Sequence, residues 1–202
     1  MGIGKIMLTK EKQQQLESSK GLASLLTLAQ FFRSPEGKLD VKEMISHDPY
    51  IHFSVKPFKP ETNQERNLDA YVLVKTDKDE NDRNNGVIGY RDETENDNSY
   101  LFYCLHEYLH RLLEYEKDKE FIRFRARKGV SIRSEFEEIL DYLTAAIMMP
   151  QDLFKKDFNE FNSNNNSSSN VKQDFINSMG KKYGVIEESV SKRMKELELS
   201  FS

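Results

Sequence analysis

The sequence predicts an α+β fold, with a short run of strands set among helices. Three observations carry that expectation. Apolar residues recur at three- and four-residue intervals around His106, where Phe102, Leu105, Leu109, Leu112 and Leu113 form a helical stripe. A second stretch, Ser131 to Met148, also reads as a strong helix. Three stretches rich in β-branched or aromatic residues stand together earlier in the chain, at Ile51–Val55, Ala70–Lys75 and Val87–Tyr90, with polar turn material between them.

The remaining elements follow in order. Thr9 to Arg33 reads as a helix with Leu22, Leu25, Leu26, Ala29 and Phe32 as its apolar stripe, stopped by Ser34-Pro35-Glu36-Gly37. Asp40 is placed to cap a short helix ending near Ser46. Asp77 to Gly86 and Asp92 to Asn98 read as loops, and Phe121 to Arg127 stays open between strand and loop. Pro150 ends the second strong helix, because the residue before a proline is pushed out of helical geometry. Phe161 to Asn170 is a low-complexity polar stretch that reads as a linker or loop. Two helices follow, Val171–Lys182 and Glu187–Leu197, broken at Gly184. The expected organisation is a main domain over 1–160, the linker over 161–170, and a C-terminal helical segment over 171–202 that packs on the domain or serves as a docking arm.

Composition narrows the function classes. The 202 residues suffice for one domain with a full core; 37% are hydrophobic and 32% charged. A net charge of −4 gives no overall basic footprint for nucleic acid. One cysteine, Cys104, excludes an intramolecular disulfide and fits a reducing cytosol. Cys104 is two residues before His106, so it points away from the His106 face and suits packing. No secretory apolar core follows the first residues, and Ile6 stands where a myristoylation signal wants Ser or Thr. The longest apolar run, Leu22 to Phe32, is too short to span a bilayer, so a cytoplasmic protein without membrane partners is expected.

The chemistry sits in His106-Glu107-Tyr108-Leu109-His110. Residues four apart share a helix face, so both imidazoles point the same way and can grip one metal ion. Glu107 lies beside the first histidine, where its carboxylate can take a proton from a metal-held water. Zn²⁺ is the expected cofactor. The bland reading is a pair of core histidines satisfied by hydrogen bonds.

Such a site needs a further ligand. Glu135, Glu137 and Glu138 are available, and Glu137 stands out because Asp141 follows it by one turn. A carboxylate ligand with a second carboxylate one turn on makes chemical sense, since Asp141 can accept the free ring N–H of a ligand histidine. Ser134 and Glu137 also fit a capping box, which would tie Glu137 up locally if the helix begins at Ser134. A helix starting near Ser131 would leave Glu137 free. For the oxyanion, Tyr100, His47 and His52 are candidates, and no spacing argument selects among them.

With those residues in view, the chain resembles the ImmA/IrrE family of bacterial and phage metallopeptidases. That family carries an H-E-x-x-H helix and then a helix of the form E-x-x-x-N-x-F-A-x-x-L-L-M-P. Glu137, Asp141, Leu143, Ile147, Met148, Met149 and Pro150 meet the second pattern, identically or by a similar residue. Leu101 to His106 resembles the approach to the first histidine, and Lys182 to Leu197 the C-terminal segment, so the likeness covers about residues 85–198. Leu109 replaces the usual glycine, Asp141 the usual asparagine, and Leu143-Thr144 the usual Phe-Ala; no candidate ligand is lost. The resemblance implies a few-stranded sheet packed beside two metal-bearing helices. It implies an active peptidase whose substrate is often a helix-turn-helix repressor, cleaved to switch on a mobile element or stress response. Two alternatives stand beside it. One is a DNA-binding regulator using Lys181, Lys182, Lys192, Arg193 and Lys195, although Glu187, Glu188, Glu196 and Glu198 interleave with those bases. The other is a non-catalytic protein with zinc as a structural staple.

Overall fold

The computed structural model describes residues 20–48, 50–92, 99–114, 119–126, 134–164 and 170–201. It is α+β, with one four-stranded mixed sheet and seven α-helices among the described residues. Helix α1 (Lys20–Phe31) falls within the stretch read as the N-terminal helix; residues 9–19 of that reading lie outside the described residues. Its stop is the turn at Ser34–Gly37, where Gly37 takes φ +92°, a conformation that disfavours side chains. Helix α2 (Val41–Ser46) starts as expected, with the Asp40 carboxylate accepting from the Glu43 N–H at 3.1 Å.

Strands β1 (Ile51–Phe58), β2 (Leu68–Lys78) and β3 (Asn84–Arg91) each outrun their predicted core by several residues. The expected loop from Asp77 shrinks to a turn, because Asp79 accepts from the N–H groups of Asn81 and Arg83 and closes the β2–β3 hairpin. The open segment resolves as β4 (Phe121–Ala126). Sheet order is β1-β3-β2-β4, with β1 parallel to β3 and the other pairs antiparallel. Period-two alternation puts Ala70, Val72, Val74, Ile88 and Tyr90 on one buried face. Gly89 lies on the other face, where a Cβ would sit 2.2 Å from the Tyr71 ring.

Helix α3 (Tyr100–Glu114) covers the buried face. It is more enclosed than a one-sided stripe predicts: every residue from Cys104 to Arg111 is buried. The reason is a second layer. Helix α4 (Glu135–Met148) packs against α3, so the polar residues of the His106 face are covered rather than exposed. Asp48 anchors the opposite flank. Its carboxylate accepts from Tyr108 Oη (2.8 Å), Arg111 Nη2 (3.1 Å) and the N–H groups of Tyr50 and Ile51. That network fixes α3 relative to the start of β1.

Pro150 ends α4, as expected, with Met149 at φ −116° and ψ 74°. The next element corrects the sequence reading. Helix α5 (Gln151–Asn164) forms where the sequence suggests none, and it runs into the stretch read as linker. Phe154, Phe158 and Phe161 recur at helical spacing and meet Phe175 of α6 (Val171–Tyr183) at ring separations of 5.6, 5.3 and 5.3 Å. Their aromatic surface outweighs the polar asparagines around them. Residues 165–169 lie outside the described residues. Gly184 breaks the chain in the left-handed conformation (φ 66°) before α7 (Glu187–Glu196). Helices α6 and α7 share one continuous core with α1 to α5 and the sheet. Arg193 is buried, donates to the Met149 carbonyl and pairs with Glu196, while Lys182 pairs with Asp157 and Lys192 with Glu188. Among the described residues no helix is long and apolar enough to cross a membrane.

Candidate metal centre

Helix α3 presents His106 and His110 on one face, with ring centroids 5.0 Å apart. Helix α4 presents Glu137 to both. Its Oε2 lies 3.0 Å from His106 Nε2 and its Oε1 lies 3.1 Å from His110 Nε2. The two inward nitrogens thus meet one carboxylate, one oxygen each. Ser134 is indeed the N-cap of α4, yet Glu137 is not tied up by it. The cap uses the Glu137 backbone N–H, 3.3 Å from Ser134 Oγ, and leaves the side chain free.

The outward nitrogens also face carboxylates. His106 Nδ1 is 3.0 Å from Asp141 Oδ1, a close electrostatic contact that is not aligned as a hydrogen bond. His110 Nδ1 is 2.6 Å from Glu114 Oε2. Two arginines of β4 complete the arrangement: Arg125 donates to Asp141 Oδ1 at 2.8 Å, and Arg123 grips Glu114 with two bonds of 2.6 and 3.1 Å. Phe136 closes one side, with its ring 5.9 Å from that of His110.

Glu107 stands apart chemically. It is 0% exposed, and neither carboxylate oxygen has a hydrogen-bond partner. Burial raises its pKa, against the pull of His106, His110 and Arg125. His106, Glu107 and His110 offer ligand atoms all within 4.8 Å of one another. On distance Glu107 therefore qualifies as a ligand as well; Glu137 is the residue whose oxygens meet the ring nitrogens, and it is the better third ligand on that ground.

The donor set fits a divalent cation. The carboxylates of Glu107, Glu114, Glu137 and Asp141 outnumber the guanidiniums of Arg123 and Arg125, so neutral imidazoles leave net negative charge for a cation to offset. Without an ion His110 is drawn toward that role. Burial works to lower the pKa of His110, but its bonds to Glu114 and Glu137 prevail and raise it to about 9. Burial likewise acts to raise Glu137, and the two histidines overcome it and hold the carboxyl well below the usual range. A metal held by the inward nitrogens would leave the protons on Nδ1, where Glu114 lies within hydrogen-bond reach of His110 and the Asp141 charge faces His106.

The three oxyanion candidates are placed elsewhere. Tyr100 stacks on Tyr90 at 4.4 Å, under the Lys42 ammonium. His47 packs on Phe32 and meets the Glu43 carbonyl. His52 lies on the sheet's edge strand β1, beside Arg83 and Asp79. None of them joins the cluster. Sequence reasoning missed Glu114, Arg123 and Arg125. The first had a signal, since it stands four residues after His110 on the same helix face. The arginines had none, because their partners are set by how β4 pairs with β2.

Comparison with known proteins gives one family. The model of the IrrE N-terminal-like domain, a peptidase family, matches residues 56–195. No curated protein and no solved structure matches the chain. The matched span takes in the end of β1, strands β2 to β4, the His106 helix and the Glu137 helix, and it is well over half of the sequence. On this match the chain belongs to the IrrE N-terminal-like peptidase family.

Proposed function

We propose that this protein is a zinc-dependent endopeptidase that cleaves a helix-turn-helix repressor at one site. One observation carries the reading: the Glu137 carboxylate closes between two histidine Nε2 atoms directly beside a buried, unpartnered Glu107. His106, His110 and Glu137 would hold the metal. Bound zinc would polarise the scissile carbonyl and acidify the attacking water. Glu107 accepts the water's proton and passes it to the leaving amine. Its burial suits that task, because a raised pKa brings the carboxyl nearer the working pH. Glu114 fixes the His110 ring by accepting its Nδ1–H, and the Asp141 carboxylate holds the His106 ring by its charge 3.0 Å from Nδ1.

The repressor as substrate rests on the family likeness, and the cytoplasm as compartment on the lone, buried Cys104. Residues 171–202 act as part of the same unit, supported by the core that α6 and α7 share with the rest. The test is co-incubation with a repressor encoded beside this gene, with and without a chelator. One discrete fragment that vanishes with chelator is expected. An intact repressor, or fragments indifferent to chelator, would overturn the proposal.

A further inference from the structure

We propose that strand β4 braces the metal centre, with Arg123 and Arg125 as positioning residues that hold Glu114 and Asp141 against the outward nitrogens of His110 and His106. This rests on the reading of the cluster as a metal site. Residues two apart on a strand point to the same face, so both guanidiniums leave β4 toward α3 and α4. Each ends on a carboxylate that also faces a histidine. The result is two parallel chains, Arg123–Glu114–His110 and Arg125–Asp141–His106, running from one strand to two helices.

The geometry goes beyond two ordinary ion pairs. Arg123 uses a two-pronged grip, which restrains the orientation of the Glu114 carboxylate as well as its distance. Glu114 needs that restraint, because its side chain is 22% exposed and is otherwise able to swing into water. The same Oδ1 of Asp141 meets both Arg125 and His106. Arg125 is 4% exposed and lies over the rings of Phe102 and Tyr103, 5.7 and 5.3 Å away, so its own position is fixed by packing. Held in this way, Glu114 by its hydrogen bond and Asp141 by its nearby charge favour the proton on Nδ1 and leave the Nε2 lone pair directed inward. Because β4 is an edge strand, its placement on β2 sets both chains together.

The test is zinc affinity of the full chain by chelator competition, with the visible absorption of the Co²⁺ form as a second readout. Arg123 is the decisive position, since its side chain is 50% exposed and its replacement leaves the core intact. Arg123→Gln is expected to weaken zinc binding about 10-fold and to shift the Co²⁺ spectrum, with melting temperature nearly unchanged. Arg123→Lys restores charge without the fork and should fall between. Combining Arg123→Gln with Glu114→Ala should cost no more affinity than Glu114→Ala alone, because the arginine acts through that carboxylate. Wild-type affinity in Arg123→Gln, or losses that simply add, would overturn the brace while leaving the metal site standing. A wild-type chain that takes up no metal would overturn both.

Discussion

Replacing Glu107 by glutamine should make the metal-free protein more stable and the enzyme inactive. The side chain is wholly buried, and both oxygens lack partners. An unsatisfied buried polar group costs about 1–3 kcal/mol, and more when charged. Glutamine keeps the shape and removes the charge, but leaves an amide to satisfy, so a gain of about 1–2 kcal/mol is expected at neutral pH. For a chain of this length that is a rise in melting temperature of about 2–8 °C. The pH dependence has a definite sign. A carboxyl with raised folded pKa binds more protons in the native state, so wild-type stability falls as pH climbs above the ordinary value of 4.5. The variant lacks that slope, and its advantage should shrink toward acid. Thermal melts of both proteins in chelator across that range measure it. In the zinc-loaded form the variant should retain metal and lose about 10²–10⁴-fold in cleavage rate. A variant that melts below wild type at every pH, or one that cleaves normally, would refute the argument.

Asp48→Ala should cost about 3–5 kcal/mol in urea unfolding, because it removes the buried carboxylate that accepts from Arg111, Tyr108 Oη and two backbone N–H groups. Phe154→Ala should cost about 3–5 kcal/mol, since Phe154 is 0% exposed between α5 and α6; a loss below 1 kcal/mol would argue against that packing. In the Glu107→Gln background with chelator, His110, still raised by its bonds to Glu114 and Glu137, adds stability that is full below its ordinary pKa of 6.5 and lost as pH climbs above it. Melts over that window should fall without zinc, and a flat profile would remove His110 as the cause.

All the described helices except α5, and three of the strands, are legible because their periods are strong and local. Strand ends are less so: β3 gains Asn84 and Asn85 by pairing with Ile51 and His52 of β1, which the polar asparagines do not advertise. The β4 stretch is undecidable locally. Arg123 and Arg125 alternate with Ile122 and Phe124, and the polar partners that make the alternation meaningful lie on α3 and α4. Helix α5 is hidden by composition. Asparagine and serine suggest a linker, and three phenylalanines at helical spacing matter only once Phe175 is known to face them.

The site shows the same division between local and distant information. His106, Glu107 and His110 are bound together by one helix, so their juxtaposition follows from spacing alone. Glu137 presents a choice that looks exclusive in sequence: cap its own helix or reach another. The structure removes the conflict, because the two tasks use different atoms. The backbone N–H of Glu137 closes the cap on Ser134, and the carboxylate crosses to both histidines. The cap even favours the crossing. It fixes where α4 begins, and hence the face on which Glu137 and Asp141 emerge toward α3. A helix start at Ser134 is thus compatible with the cluster rather than an argument against it, and loss of that cap should loosen the contact of Glu137 with the histidines as well as the helix.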